Sequence, residues 1–298
     1  MWKMEPMSSW PEEHASSRQD LFKYIEAKLE RNIVFAWRGM SRSEWKLVPS
    51  FDRYLERNAS GATYEMCLSM ELGIIEQFRA LAMPYAFGTE KQFLGGPSRW
   101  LTLSLGQHSG LPTRLLDWTT SPWVGAWFAC HENSPTDGAL WWFDSKNLEH
   151  EVGEHWDRYQ VPYKENGPEV KGLNEQQRRA MNRDERDLEA TAFAPSGHSW
   201  ISKLYLTFPS PRMEIQHAFH TVCGRLQVPH DVAIDELSNR STNGPIPRGR
   251  ITIAANAKIE ITRYLATMNI HARGLMYPGV DNVARQLQLS TPPTPIAL

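Results

Sequence analysis

The chain has 298 residues, with 32 Lys+Arg against 34 Asp+Glu for a net charge of -2, and 41% of it is hydrophobic. That composition fits a globular protein able to bury its own core and argues against a nucleic-acid binder driven by overall charge. Cys67, Cys130 and Cys223 form no CxxC pair, no stretch reaches the ~20 apolar residues of a membrane span, and the N-terminus lacks a signal-peptide core. The expectation is therefore a cytoplasmic protein with no membrane association, no disulfide framework and no cysteine-rich zinc site. Seven of the 12 tryptophans fall between residues 37 and 141.

Residues 1–19 read as a loose N-terminal arm. Leu21, Tyr24, Ile25 and Leu29 then repeat with helical spacing behind Asp20, placed where an N-cap belongs. Residues 33–37 form a β-branched and aromatic run ended by Arg38-Gly39, the signature of a buried strand. Over 63–83 the spacing predicts a core helix with Met66, Met70, Ile74, Phe78 and Leu81 on one face, and a second helix is expected over 98–108. An apolar helix follows Pro122, which suits its first turn, and residues 138–143 read as a strand entered through Asp137-Gly138. Residues 144–190 are polar and read as an insertion, with a solvated helix near 176–190. Further strands are expected at 200–206, 219–222 and 251–253, and helices at 255–268 and 283–289, before a tail over 291–298. Five or more strands with helices between them favour an α+β single domain, a mixed sheet with flanking helices.

Three places carry candidate chemistry. Arg38-Gly39 offers a guanidinium beside a glycine, suited to a phosphate or carboxylate if backbone must approach a ligand; an Arg paired at the sheet rim is the bland alternative. Residues 107–121 pack His108, Thr113, Arg114, Asp117, Thr119, Thr120 and Ser121 into one short run. If 113–117 is extended, Thr113, Leu115 and Asp117 share one face and Arg114 and Leu116 the other, so Arg114 and Asp117 need not pair. His108 with Asp117 suggests an oriented base, which would make a His/Asp hydrolase, although no nucleophile elbow accompanies them. Finally, Glu214 and Gln216 share a face if residues 212–219 form a strand, presenting a carboxylate and an amide; a solvent-facing edge is the alternative. The histidines form no HExxH, and no GxGxxG or Walker-type GKS is present, so no metal site is expected.

Residues 35–39 (FAWRG), 106–119 (GQHSGLPTRLLDWT) and 126–129 (AWFA) closely resemble the FRG domain family, as do Arg212, Gln216, Ala218 and Phe219 and the segment 275–284. Trp37, Met40 and Ser109 depart from the usual residues of that family. The resemblance spans about residues 30–290, placing an FRG domain over 20–290. The order of the motifs looks more distantly like the ADP-ribosyltransferase core. That likeness implies NAD as cofactor, with Arg38, Gly39, Thr113, Arg114, Thr119, Thr120 and Ser121 binding it. Glu214 or Gln216 would orient the nucleophile, and the target would be a protein or nucleic acid, as in a toxin or anti-phage effector. The competing expectation is a non-catalytic module that binds nucleic acid, a nucleotide or a partner protein.

Overall fold

The computed structural model describes residues 10–31, 33–132, 135–156, 189, 192–194, 200–204, 211–241 and 243–275. Its framework is one mixed sheet of seven strands in the order β1-β7-β4-β2-β3-β6-β5. These are β1 (Glu12–Ala15), β2 (Phe35–Met40), β3 (Leu115–Thr119), β4 (Gly138–Asp144), β5 (Ile201–Leu204), β6 (Ala218–Cys223) and β7 (Arg248–Ile253). Only the edge pair β1–β7 is parallel; every other neighbour runs antiparallel. The α+β expectation holds, and the strands expected at 33–37, 138–143, 219–222 and 251–253 are all present.

Two corrections concern the N-terminus. Residues 12–15 are an edge strand rather than part of a loose arm, held to β7 by backbone pairing. Helix α1 (Arg18–Leu29) starts at Ser17, not Asp20: Ser17 Oγ accepts from Asp20 N while Asp20 Oδ2 accepts from Ser17 N, a reciprocal capping box.

Helices cover both faces of the sheet. On one face α1, α6 (Pro122–Cys130) and α10 (Lys258–Thr267) pack on Phe35, Trp37, Leu140, Ile251 and Ile253. Farther along that face α3 (Tyr64–Ala82) and α5 (Arg99–His108) bring Ile75, Trp100 and Leu103 onto Leu115, Leu204 and Val222. The other face packs Ala36, Leu116, Trp118 and Trp141 against α7 (Ser145–Trp156) and α9 (His230–Arg240), through Leu148, Ile234 and Leu237. Tryptophan supplies much of this core, and Trp37, Trp100 and Trp118 are almost completely buried.

Helix α3 has the expected bounds, and Met70 and Ile74 of the expected face pack partly buried against the cluster of Phe51, Leu55 and Leu226, but the fully buried stripe is rotated away from Met66 and Leu81. Cys67, Leu68, Glu71 and Ile75 point inward, whereas Met66 and Leu81 are 56% and 73% exposed. The reason is a charge: Glu71 meets the buried Arg114, and that pair fixes the helix rotation against the plain hydrophobic stripe. Within the polar stretch, residues 145–156 form α7, and Glu189 accepts from Arg99 N and Arg99 Nη1. Residues 157–188, and the expected helix at 283–289, lie outside the described residues.

Two further short elements frame the site. Helix α2 (Ser50–Asn58) is latched at its start, with Phe51 N donating to Thr113 O and Thr113 N donating to Ser50 Oγ. The run 212–219, expected as one strand, is instead α8 (Pro211–Ile215) followed by β6. His217 between them has a left-handed φ of 48°, which breaks the extended path.

Candidate functional site

Strands β2 and β3 pair at a single register position, Trp37 opposite Thr119, and then separate. A cavity of about 250 Å³ opens beside this split, lined by Arg38, Ser50, Arg53, Gln107, Gly110, Leu111, Leu115, Leu116 and Asp117. The Arg38 side chain bridges the gap between the strands, its Nη1 donating to the Asp117 carbonyl at 2.6 Å. Its buried Nε has no protein partner among the described residues.

Asp117 is the chemical centre of this cavity. It stands opposite His220 in the β3–β6 register. Side-chain alternation turns it, with Leu115, toward α5, while Leu116 and Trp118 face α9. Gln107 Nε2 donates to Asp117 Oδ1 at 2.6 Å, and His220 Nδ1 lies 2.9 Å from the same oxygen, although its N–H does not aim squarely at it. The Gln107 amide is itself oriented by Thr113, whose Oγ1 donates to Gln107 Oε1. Behind His220, Ser104 Oγ sits 3.1 Å from Nε2. Thus Asp117 Oδ1 is occupied, and Oδ2 has no protein partner among the described residues.

The electrostatics follow from these contacts. Burial opposes ionisation of Asp117, but His220, Arg38 and Gln107 outweigh it and hold the carboxyl well below the usual carboxylate range. Its side chain nonetheless remains 50% accessible, because it is surrounded by protein yet open to the cavity. Burial draws the Arg38 pKa down; Asp117 opposes this and Arg53 reinforces it. Arg38 and Arg53 line the same cavity as Asp117, and two guanidinium groups in one cavity suit a ligand carrying negative charge.

The expected site residues divide sharply. Arg38 and Asp117 line the cavity, and Thr113 stands behind it through Gln107. His108, the last residue of α5, is close enough to Asp117 to feel its charge, but burial is what chiefly lowers its pKa. The imidazole against Asp117 is that of His220, not His108.

The remaining candidates have other partners. Gly39 does not admit a ligand: a Cβ there would lie 1.9 Å from Gly125 O and 2.4 Å from Ala129 N, so the glycine admits the backbone of α6. Arg114, just before β3, is buried in a bidentate pair with Glu71 and does not line the cavity, and its Nη1 also donates to Ala192 O. Thr119 Oγ1 donates to Gln216 O, and Ser121 caps α6. Thr120 is exposed, with its N–H bonded to His217 O. Glu214 is exposed on α8, and Gln216 Nε2 donates to Leu275 O at 2.7 Å, tying α8 to α11 (Ala272–Leu275). Neither residue lines the cavity.

Sequence reasoning overlooked Ser50, Arg53, Ser104 and His220. Arg53 and Ser50 sit on a mostly polar helix without a clear apolar run, and His220 is marked only by alternation within 219–222. Gln107 lay inside the dense motif, but nothing in the spacing set it apart.

Among the described residues no helix is long and apolar enough to cross a membrane, and no three His, Cys, Asp or Glu residues gather as a metal site. Residues 33–138 match the FRG domain family model. No curated protein and no solved structure matches the chain.

Proposed function

We propose that the cavity binds NAD and that the protein transfers ADP-ribose to a protein or nucleic-acid acceptor. The observation that carries this reading is the state of Asp117: an ionised carboxylate with Oδ1 held by neighbours and Oδ2 open, in a cavity that Arg38 and Arg53 also line. Cleavage of the bond between nicotinamide and ribose leaves the electron pair on nicotinamide and positive charge on the ribose carbon. A fixed carboxylate stabilises that charge and aligns the ribose hydroxyls. The carboxylate–amide pair expected at Glu214 and Gln216 has its counterpart in Asp117 and Gln107. The acceptor bonds to the ribose carbon and gives up its proton to water, while Asp117, held ionised, faces the positive charge on the ribose.

The cavity fits one end of the dinucleotide. At about 250 Å³ it lies just below the ~300–1,000 Å³ of typical small-molecule sites, which suits a nicotinamide riboside unit with the rest extending past the mouth. The unpartnered Arg38 Nε, with Arg53 at the rim, would take the diphosphate. Such a transfer, by modifying a cell component, is chemistry that a toxin or an anti-phage effector would use.

The test is incubation of the full chain with adenylate-labelled NAD and cell extract, following nicotinamide release and label transfer. Both are expected, and both should fall at least ~100-fold in Asp117→Asn. Arg53→Gln should chiefly raise KM. Absence of NAD binding, nicotinamide release and label transfer together would overturn the proposal.

A further inference from the structure

Ser104, His220 and Asp117 contain the three groups of a hydrolase triad, yet they are arranged in reverse. Ser104 and His220 are 2% and 0% exposed, while Asp117 is the member open to the cavity. A serine so placed cannot reach a substrate. In a working triad the hydroxyl meets the ligand and the carboxylate is buried behind the imidazole. Here the carboxylate meets the ligand and the hydroxyl is behind.

We propose that His220, oriented by Ser104, is a positioning residue that holds Asp117 Oδ1 and so fixes Oδ2 toward the bound ligand. The geometry supplies each link. Ser104 and Gln107 lie one turn apart on α5 and face the sheet together, so one helix fixes both groups that converge on Asp117. His220 stands directly across the ladder from Asp117, with Nδ1 2.9 Å from Oδ1 and Nε2 3.1 Å from Ser104 Oγ. The Ser104 hydroxyl has one proton and two acceptors in reach, His220 Nε2 and Met213 Sδ at 3.7 Å. Nitrogen is the nearer and the stronger acceptor. Donation to Nε2 leaves the imidazole proton on Nδ1, facing the carboxylate.

The mechanistic part rests on the proposed ADP-ribosyl transfer; the positioning itself is a property of the free protein and is tested separately. With ¹⁵N-labelled histidine in the full chain, His220 should carry a proton on Nδ1. Ser104→Ala should mix its ring tautomers. A wild-type His220 protonated only on Nε2 would overturn the proposal, because Nδ1 could then donate nothing to Asp117. In the kinetic arm, His220→Phe keeps bulk and removes the donor, whereas His220→Asn retains a donor near Nδ1. NAD cleavage by His220→Phe should lose about 10- to 100-fold in kcat with KM little changed, and His220→Asn should recover most of that loss. Equal rates for folded His220→Phe and His220→Asn would also overturn it. If the wild type cleaves no NAD, the transferase reading fails, and the ¹⁵N spectra alone decide whether Asp117 is held.

Discussion

Arg114 and Glu71 form a fully buried bidentate ion pair between the entry to β3 and helix α3. Burial lowers the Arg114 pKa, but the Glu71 carboxylate more than offsets it. Removing one partner strands the other charge in the core. Glu71→Ala should therefore cost about 3–5 kcal/mol in urea denaturation, while Glu71→Leu combined with Arg114→Met should recover much of that loss. A cost below about 1 kcal/mol for Glu71→Ala would show that the pair does not anchor α3.

The contact of α6 on β2 makes a second prediction. A Cβ at Gly39 would run into the α6 backbone, which cannot swing aside as a side chain can. Gly39→Ala is expected to destabilise the protein by about 1–3 kcal/mol or more and to shift β2. Since Arg38 is the preceding residue, the NAD binding proposed above should weaken as well, even at temperatures where the variant is folded. Calorimetry and ligand titration on the same sample would check both effects.

Two buried groups impose opposite pH dependence on stability. Burial pushes the Asp52 carboxyl up to about 7, with the Gln227 N–H pulling the other way. Burial pushes the His230 imidazole down to about 3, and the charge of Arg38 acts in the same direction. From an unfolded value of ~3.9, the neutral Asp52 contributes stability that is lost as pH rises from about 4 to 7. From an unfolded value of ~6.5, the neutral His230 contributes stability that is lost as pH falls toward 3. Between about pH 4 and 6.5 the two slopes oppose each other. Asp52→Asn removes the first, so its stability should fall with acidification more steeply than wild type, by up to ~1.4 kcal/mol per pH unit. Superimposable pH profiles would show that Asp52 is not held neutral.

The rotation of α3 can be checked without reference to activity. Ile75 is fully buried and Met66 is 56% exposed. Ile75→Ala should cost about 2–5 kcal/mol, whereas Met66→Glu should stay within about 0.5 kcal/mol of wild type. The hydrophobic stripe read along the sequence predicts a cost for Met66 as well, so the pair of measurements separates the two faces.

Much of the framework was legible because strong runs announce themselves. Residues 35–37 and 139–143 are continuous apolar runs within β2 and β4, and Pro122 marks the start of α6. The polar edge strand Glu12–Ala15 was not, since its order comes from pairing with β7, more than two hundred residues away in sequence. The site was half legible. Arg38 and Asp117 stood out by type and context, but pairing Asp117 with His220 requires the β3–β6 register, which periodicity cannot supply. Glu214 and Gln216 were misplaced because alternation was carried through His217, where the backbone turns.

The stretch 33–138 contains every residue that lines the cavity, yet lacks the strands that flank β2 and β3 in the sheet. It includes β2 and β3, which share one register position, and it stops where β4 begins. Strands β4 and β6, which clamp β2 and β3 from either side, come later in the chain. Cut out alone, this stretch would expose two unpaired strand flanks and invite self-association. The cavity is therefore not a transplantable cassette: grafting it into another protein would require carrying along its flanking strands, His220 included.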